Sequence, residues 1–390
     1  MKTHLTTFAL AVFFFLFLPR ASHHAASLGN GNPTGVTGEY NGSVTTGGSY
    51  DPYTGNAKRI IDDLTVTGSI GAYPLKWTRI LNTRGISTKF GGGGGWSHGY
   101  YWGLSVAPPP PNPVPPCWPD GPDATVYYPD GATRAFRLDG QGYIHADLGE
   151  PGDQFVHVAG DDYDLRMKDG GRVEFRTVNG NRYVAKYIVD PYGQRTTLEY
   201  ASDHLWKVIE PAGRYLEIHY TTYPAEPYFP ASAEMIDNVK AYDGPQGNLI
   251  ETVAYQYTRV FFDAGWVGTF RIINLTQVNY DDNTHAAYAY TDPAPLNPGD
   301  WGHLMPGKVS TCDDPRFGGA MRRIEYEYTP PGQMLPGQRI SGHLKAERNM
   351  TTHEIVSHMD YPSGTSDGLR ESRREETVRR AGSSTATLSS

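Results

Sequence analysis

The fold is decided by a phrase that occurs twice in the chain, DPYGQRTTLEY at residues 190–200 and EPAGRYLEIHY at residues 210–220. The copies lie twenty residues apart and match at an acidic residue, a proline, a glycine, an aliphatic residue and a tyrosine. Proline fixes φ and glycine accepts a positive φ, so each copy predicts a tight turn followed by a strand. The positions expected to define the repeat are Asp190, Pro191, Gly193, Tyr200, Glu210, Pro211, Gly213 and Tyr220.

The residues after each turn alternate in the way that is typical of a half-buried strand. Leu216, Ile218 and Tyr220 share one face, and the two polar residues between them share the other. The alternation returns downstream in three sets, namely Val253, Tyr255 and Tyr257, then Tyr288 and Tyr290, then Ile324, Tyr326 and Tyr328. No single unit can bury such a face alone, so consecutive hairpins should pair edge to edge. The sequence therefore predicts an all-β chain whose repetitive antiparallel hairpins form a large curved sheet.

The composition supports this fold and argues against several classes of function. The 390 residues include 45 Gly, 30 Pro and 27 Tyr, which favours turns and aromatic strands over long helices. The net charge is −8, with 34 basic and 42 acidic residues spread along the chain. Nucleic-acid binding requires a concentrated basic stripe, so no nucleic-acid partner is expected. No cofactor is expected either.

Residues 1–27 are typical of a secretory signal peptide. Lys2 precedes a continuous apolar run over residues 8–18, and small residues follow it. Pro19 ends the run well short of the roughly 20 residues that a membrane span needs. We therefore predict export to a secreted, periplasmic or cell-surface location, with no membrane span after removal of the signal.

The rest of the chain divides by composition. Gly, Ser and Thr dominate first, strand-like alternation follows, and a proline-rich stretch favours an extended loop before the repeats begin. The expected segments are a linker at 28–50, a β block at 51–105, a Pro-rich loop at 106–123, the repeat sheet at 124–376, and a disordered tail or truncation point at 377–390.

The two cysteines, Cys117 and Cys312, are candidates for a disulfide in an exported chain. The sequence alone does not place their Cα atoms within reach of each other, so pairing remains open. Neither cysteine has the spacing of a paired-cysteine zinc site. His353 and His358 are five residues apart, which puts them on different faces of a helix or a strand, and no metal site is expected.

The repeats and the block before them resemble the YD-repeat, or RHS, family. The opening block carries part of the resemblance in the motifs DPYTG at 51–55, DLTV at 63–66, YPL at 73–75 and GGWSHGY at 94–100. Together with the two copies of the repeat phrase, these motifs cover about residues 50–375. The resemblance implies a β-sheet that spirals into a hollow shell, which in family members encloses a C-terminal toxin or mediates contact and carbohydrate binding at surfaces.

The chain departs from the family at one position. Family members with a complete shell carry a D-P-x-G-x-x-G phrase where self-cleavage releases the C-terminal segment, and here Thr196 stands in place of the second glycine. Self-cleavage and a toxin domain are therefore not predicted for this chain, which resembles the N-terminal portion of such a protein.

Three functional hypotheses follow. The first is an exported scaffold without catalysis, whose partners are the remaining shell segments or a toxin-like cargo encoded elsewhere. The second is a surface protein that binds glycans, because aromatic rings can stack on sugars. The third is a glycosidase that uses the carboxylate pairs Asp161-Asp162 and Asp281-Asp282, although turns explain both pairs better. The rings considered for sugar stacking are Trp96, Tyr100, Tyr101 and Trp102.

Overall fold

The computed structural model describes most of the chain from residue 50 onward. The described residues are 50–51, 56–83, 88–91, 95–106, 123–129, 133–139, 142–145, 153–178, 182–226, 232–244, 247–263, 269–291, 308–317, 322–328, 334–335, 338–339, 344–360, 375–378 and 386–389. The predicted signal peptide, most of the linker, Cys117 and nearly all of the Pro-rich loop lie outside these residues.

All regular structure in these residues is β-strand, which confirms the predicted fold class. The strands are β1 Tyr50–Asp51, β2 Asn56–Thr65, β3 Lys76–Asn82, β4 Trp96–His98, β5 Gly103–Val106, β6 Ala124–Tyr127, β7 Thr133–Asp139, β8 Gly142–His145, β9 Gln154–Ala159, β10 Asp162–Arg166, β11 Arg172–Val178, β12 Arg182–Val189, β13 Arg195–Ala201, β14 His204–Ile209, β15 Tyr215–Tyr223, β16 Ala233–Tyr242, β17 Leu249–Asp263, β18 Thr269–Tyr280, β19 His285–Tyr290, β20 Val309–Asp313, β21 Arg323–Tyr328, β22 Met334–Leu335, β23 Gln338–Arg339, β24 Leu344–Asn349, β25 Ile355–Asp360, β26 Glu375–Val378 and β27 Ala386–Ser389.

The strands belong to two main sheets. Strands β1 to β4 form a four-stranded antiparallel sheet, which we call the N-terminal block. Strands β5 to β21, followed by β24 and β25, form the repeat sheet, in which each strand lies beside the next one in sequence. Short β22 and β23 form a separate hairpin.

Two segment boundaries differ from the sequence prediction. Strand β5 lies inside the range predicted for the N-terminal block, yet it pairs with β6 and also with β12, so it belongs to the repeat sheet. The tail predicted to be disordered contains β27, which pairs with β26. In both cases the assignment depends on which strands pair, and local composition does not show that β5 pairs with β6 and β12 or that β27 pairs with β26.

The repeat turns form as their residues predict. Gly193 N–H donates to the Asp190 carbonyl at 3.0 Å, and Gly213 N–H donates to the Glu210 carbonyl at 2.9 Å. Both glycines have a positive φ, 84° and 89°. A type I turn followed by a residue in the left-handed region closes a three-residue hairpin loop, which explains why glycine occupies this position.

The N-terminal block packs against one face of the repeat sheet, and the two share a single hydrophobic core. Trp77, Phe90 and Trp96 of the block are fully buried in this core together with Leu216 and Val239 of the sheet. Strand β3 is buried on both faces, whereas β15 alternates between buried and more exposed residues. The block thus lies on the inner side of the sheet, and the opposite face is open to solvent.

Candidate functional site

Five tyrosines form a continuous ladder across the repeat sheet. They lie on alternate strands, Tyr200 on β13, Tyr220 on β15, Tyr257 on β17, Tyr290 on β19 and Tyr328 on β21. Each hydroxyl donates to a backbone carbonyl on the preceding strand. The acceptors, in the same order, are the carbonyls of Ala185, Leu205, Ile236, Leu275 and Val309, at 3.0, 2.8, 2.7, 2.6 and 2.7 Å.

A β-bulge accompanies every member of the tyrosine ladder. Where Tyr200 pairs with β14, the register jumps from Glu199–Lys207 to Tyr200–Leu205, so Trp206 is the extra residue. The same one-residue jump occurs at the other four tyrosines, where the extra residues are Asp237, Thr276, Ser310 and Lys345. A bulge interrupts the backbone ladder and turns a side chain. The tyrosine hydroxyl supplies the hydrogen bond that the neighbouring carbonyl would otherwise lack.

The ladder joins each repeat to the one before it. Leu205 is paired with Tyr200 across the bulge, and its carbonyl accepts from Tyr220. Ile236 is paired with Tyr220, and its carbonyl accepts from Tyr257. The next two acceptors repeat this relation. Burial raises the pKa of Tyr220 and of Tyr257 above the usual range, so these hydroxyls remain donors.

The turns at the opposite end of the hairpins are held by a segment of the N-terminal block. We call this segment, residues 66–75 between β2 and β3, the strap. Three of its donors reach carboxylates in three successive repeat turns. The contacts are Tyr73 Oη to Asp169 Oδ2 at 2.6 Å, Ala72 N to Asp190 Oδ2 at 2.6 Å and Ile70 N to Glu210 Oε2 at 3.0 Å. The residue numbers of the turns therefore rise, from 169 to 210, as those of the strap donors fall, from 73 to 70. The acidic residue of each turn thus also binds the strap.

Close approach explains one glycine of the strap. A Cβ on Gly71 would lie 2.7 Å from Asp190 Oδ2, and the residue has a φ of 96°. The other oxygen of Asp190 accepts from the N–H groups of Tyr192 and Gln194, at 2.9 and 2.8 Å. One carboxylate thus closes its own turn and binds the strap. On the next repeat, Arg214 donates to the strap carbonyl of Thr67 at 2.7 Å.

A charged cluster lies at the centre of the interface between the N-terminal block and the repeat sheet. Asp63 and Arg79 of the block form a two-pronged ion pair, with Nε to Oδ2 at 2.8 Å and Nη2 to Oδ1 at 3.0 Å. Tyr255 and Tyr280 of the sheet donate to the same carboxylate at 2.8 and 3.0 Å. Both charged side chains are fully buried. Asp63 therefore accepts hydrogen bonds from Arg79 of the block and from two tyrosines of the sheet. These bonds offset the large cost of removing the ion pair from water.

The cluster extends to a second acid and a second arginine. Arg79 Nη1 donates to Tyr288 Oη at 2.8 Å, and Tyr288 donates to Asp314 Oδ2 at 2.6 Å. Arg59 Nη1 lies 2.7 Å from Cys312 Sγ, and its guanidinium stacks 3.8 Å from the centre of the Phe317 ring. Burial opposes the charge of Arg79, but the carboxylate of Asp63 outweighs it and raises the pKa well above the usual range. The positive charges of the buried Arg59 and Arg79 are therefore balanced by the negative charges of the buried Asp63 and Asp314.

His98 is a buried neutral histidine beside this cluster. Its ring stacks on Trp77 with centroids 4.6 Å apart and contacts Phe90 and Tyr101 edge-on. Burial lowers the pKa of His98 to about 3. His98 is the backbone register partner of the buried cation Arg79, so protonation of His98 would add a third buried positive charge at the interface, beside Arg79 and Arg59.

The structure corrects the expected exposure of the four aromatic residues considered for sugar stacking. Trp96, Tyr100 and Trp102 are 0%, 5% and 4% exposed, and Tyr101 is half-buried. The Trp96 indole donates to Tyr290 Oη at 2.9 Å, so it supports the tyrosine ladder. These rings pack in the core because the N-terminal block is a layer of the fold, a role that its polar loops do not reveal. A buried ring presents no face on which a sugar could stack.

The acidic pairs lie at turns or at a strand end. Asp161 lies in the turn between β9 and β10, and Asp162 is the first residue of β10. Asp281 and Asp282 lie in the turn between β18 and β19. Thr284 donates to Asp282 from its hydroxyl at 2.5 Å and from its N–H at 2.9 Å, and the hydroxyl contact is the main cause of a lowered pKa. A general acid requires a raised pKa, so this carboxylate is tuned in the opposite direction.

The remaining candidate residues are placed as follows. Cys312 is buried in the core, and because Cys117 lies outside the described residues, the disulfide stays a prediction. His353 is exposed at the start of the segment that leads into β25. Among the residues that the structure describes, no cluster of three or more His, Cys, Asp or Glu side chains is placed to hold a metal ion. None of the described segments is a helix of the length and hydropathy required to cross a membrane.

Sequence reasoning missed the strap, the charged cluster and the turn that begins at Asp314. The Phe317 N–H closes this turn by donating to the Asp314 carbonyl at 3.1 Å, and the dipeptide Asp314-Pro315 was an available signal for it. The turn at Asp281-Asp282, which the sequence does indicate, is closed by the Asn283 N–H on the Tyr280 carbonyl at 3.1 Å. Nothing local identifies Asp63 and Arg79, because their partners lie about two hundred residues away in the sequence.

Comparison with known proteins gives limited similarity. No family model and no curated protein sequence matches the chain. Among solved structures, the chain is similar to TcdB2–TccC3–TEV, with a TM-score of 0.30 and 11% identity over 89% of this chain and 20% of that one. It is also similar to TcdB2–TccC3–Cdc42, with a TM-score of 0.19 and 14% identity over 87% and 16% of the two chains. A third similarity is to TcdB2–TccC3, with a TM-score of 0.18 and 13% identity over 88% and 16%. The chain spans about a fifth or less of the length of these structures.

Proposed function

We propose that this chain is an exported, non-catalytic scaffold, the N-terminal part of a YD-repeat wall that encloses or presents a cargo or mediates contact at a surface. The observation that carries the proposal is the tyrosine ladder. It links each repeat only to the repeat before it, through one side-chain bond and one bulge of constant geometry. Such nearest-neighbour coupling is what a sheet that grows by repetition requires.

The N-terminal block supports the same proposal as a terminal cap. Repeat arrays need a distinct terminal unit that covers the core of the first repeats. Here the block fills the inner face of the sheet, and the strap fixes the turns at Asp169, Asp190 and Glu210. The described polar clusters at this interface are built into the fold, with their donors and acceptors directed at one another. This arrangement favours a mechanical function over a chemical one.

A protease-protection experiment tests the scaffold function. The protein is isolated from its source together with any polypeptide that continues beyond residue 390 or stays bound, and is then treated with trypsin under native conditions. A wall that encloses or presents a cargo leaves a protected fragment besides the sheet, and that fragment is lost when the sample is unfolded in urea first. Complete digestion of everything outside the β-strands in the native sample contradicts the proposal.

Two further measurements test export and the absence of catalysis. N-terminal sequencing of the protein outside the cytoplasm should find a start near residue 28, and retention of the first 27 residues contradicts export. A panel of aryl glycosides should show no hydrolysis by a clean preparation. Turnover that is lost in the Asp281→Asn variant would instead support the glycosidase hypothesis.

A further inference from the structure

The solvent-facing side of the repeat sheet carries a row of arginines. Arg166 on β10 is directly opposite Arg172 on β11, Arg172 is opposite Val189 on β12, and Val189 is opposite Arg195 on β13. We call Arg166, Arg172 and Arg195 the arginine row. Adjacent strands lie about 4.8 Å apart, so the backbones of Arg166 and Arg195 are roughly 15 Å apart. The guanidinium groups of Arg172 and Arg195 nevertheless converge on one oxygen, Glu174 Oε1. Arg166 is exposed, and the side chains of Arg172 and Arg195 are 39% and 50% exposed.

Acidic residues accompany the arginine row on the same face. Asp164 is two residues from Arg166 on β10 and directly opposite Glu174 on β11. Residues 162–199 contain seven Lys or Arg and six Asp or Glu. Two of these acids, Asp169 and Asp190, are directed at the strap, so seven cations and four acids remain. Glu174 is the acid that contacts the arginine row.

Glu174 orients the arginines without neutralising them. Its carboxylate is 4% exposed and accepts from Arg172 Nε at 2.9 Å and from Arg176 Nη2 at 3.1 Å, and it lies 3.4 Å from Arg195 Nη2. One negative charge is thus shared by three guanidinium groups. Arg176 also lies 3.4 Å from Asp164, a second acid that does not contact the row. Arg172 and Arg195 therefore keep part of their positive charge, and the Glu174 carboxylate fixes the positions of their guanidinium groups.

The arginine row breaks a rule that stable sheets usually follow. Like charges directly opposite each other in an antiparallel pair are destabilising, and Arg166 and Arg172 occupy such a pair. Among the residues that the structure describes, Arg166 has no ion-pair partner that would relieve the repulsion. Arg195 is further ordered by stacking 4.4 Å from the centre of the Tyr187 ring. Local violations of this kind are expected at functional sites.

We propose that the arginine row binds a small molecule that carries several phosphate or sulfate groups. A guanidinium donates two parallel hydrogen bonds to a tetrahedral oxyanion, and Arg166 with Arg172 can hold one such group from adjacent strands. Arg195, whose guanidinium contacts the same Glu174 oxygen as that of Arg172, holds a second group of the same molecule. Binding requires no movement of the backbone, because Glu174 and Tyr187 already position the side chains. The site lies on the face opposite the core and is independent of the scaffold proposal.

Isothermal titration calorimetry with inositol hexakisphosphate tests the site, with inositol hexasulfate and inorganic phosphate as separate arms. At about 0.15 M salt, where long-range attraction is screened, the wild type should bind the hexakisphosphate or the hexasulfate. The comparison of these two arms identifies which oxyanion is preferred. Inorganic phosphate, which cannot bridge the row, should bind at least tenfold more weakly.

Matched variants separate the row from general charge effects. Arg172→Gln and Arg195→Gln should each weaken binding roughly tenfold, as loss of a charge-assisted pair predicts. Arg323→Gln on β21 is the control, because the Arg323 side chain is also 50% exposed and pairs with the carboxylate of Asp313 on β20. The affinity of this variant should stay within about twofold of the wild type. Arg166→Gln, which removes no described ion pair, provides the same test if Arg172→Gln does not fold. No binding up to about 1 mM ligand, equal losses in Arg323→Gln, or equally tight binding of inorganic phosphate overturns the proposal.

Discussion

The centre and the edge of the interface between the N-terminal block and the repeat sheet use the same chemistry in different surroundings. At the centre, Asp63 and Arg79 are fully buried and receive tyrosine hydroxyls from the opposite layer. At the edge, strap donors meet the carboxylates of Asp169, Asp190 and Glu210. Asp190 and Glu210 are also buried, but the donors that reach them are neutral N–H groups of the partly exposed strap. Both regions join a carboxylate to donors across the same two layers.

The difference shows that the charge of the partner, and not the number of bonds, decides how much each region contributes. A buried cation that loses its anion cannot be rescued by water, so the centre should behave as a single unit. A strap contact joins a carboxylate to a neutral donor on a partly exposed segment, where water can replace the lost bond, so each strap contact should act almost alone. We therefore expect the centre to decide whether the two layers associate and the edge to adjust how the repeats are aligned.

Breaking the central ion pair should have the largest effect. Asp63→Asn keeps the size of the side chain but leaves Arg79 buried with Asp314 at 3.6 Å as its remaining anion. We expect a loss of about 3–5 kcal/mol in the free energy of unfolding, measured by urea denaturation. The neighbouring Asp62→Asn is the control, because Asp62 pairs with Lys76 at 2.9 Å with 44% of its side chain exposed, and should cost less than about 1 kcal/mol. Equal losses for the two variants would show that burial of an ion pair does not decide how much its loss costs.

Acid should weaken the centre of the interface through His98. Burial lowers the pKa of His98 to about 3 in the folded protein against 6.5 ordinarily, so the unfolded state binds the proton first. Stability from this residue is fully present above pH 6.5 and is lost as the pH falls, by about 2 kcal/mol at pH 5. The difference in unfolding free energy between the wild type and His98→Gln should change with pH by this amount. A pH-independent difference would mean that His98 has the same pKa in the folded and the unfolded state.

At the edge, Asp190→Ala should be milder. The variant removes the contact with Ala72 and two bonds within the turn, and we expect a loss of about 2 kcal/mol. Asp243→Ala is the matched control, because Asp243 accepts from the N–H of Asn248 at 3.1 Å within its own turn and has no described strap contact. That variant should cost about 1 kcal/mol, and the difference reports the strap contact. If the two variants cost the same, the strap adds nothing to the edge.

The smallest effect should come from a single member of the tyrosine ladder, outside both regions. Tyr257→Phe removes the bond to the Ile236 carbonyl and should cost about 1 kcal/mol, measured by the urea midpoint. Tyr192→Phe, at a residue 74% exposed, should leave the midpoint unchanged. A loss for Tyr257→Phe as large as that for Asp63→Asn would place the ladder with the centre as one cooperative unit.

The sequence predicts those parts of the molecule whose cause is local. The turn at Asp190 follows from a proline and a glycine that fix φ, and the half-buried strand after it follows from alternation. The phrase also selects Tyr200 and Tyr220, and the later alternating sets contain Tyr257, Tyr290 and Tyr328, so all five ladder residues are visible before the structure is known.

The remainder depends on contacts between distant segments. The strap has the sequence of an ordinary loop. Its contacts with the repeat turns become evident only in the structure, where residues 70–73 lie against turns at positions 169–210. The hypothesis of sugar stacking requires exposed rings at Trp96, Tyr100, Tyr101 and Trp102, yet Trp96 is buried between two layers. Burial of a whole sheet is a tertiary effect that local pattern does not encode.

The two ways in which this protein holds its repeats have different evolutionary consequences. A ladder bond involves only the adjacent strand, so it can re-form after a hairpin is duplicated or deleted. The strap and the charged cluster have groups at fixed positions, which match only three turns and the residues Tyr255, Tyr280, Tyr288 and Asp314. Recombination should therefore tolerate changes in hairpin number only beyond Asp314, while the hairpins under the strap and under the charged cluster must keep their number and order.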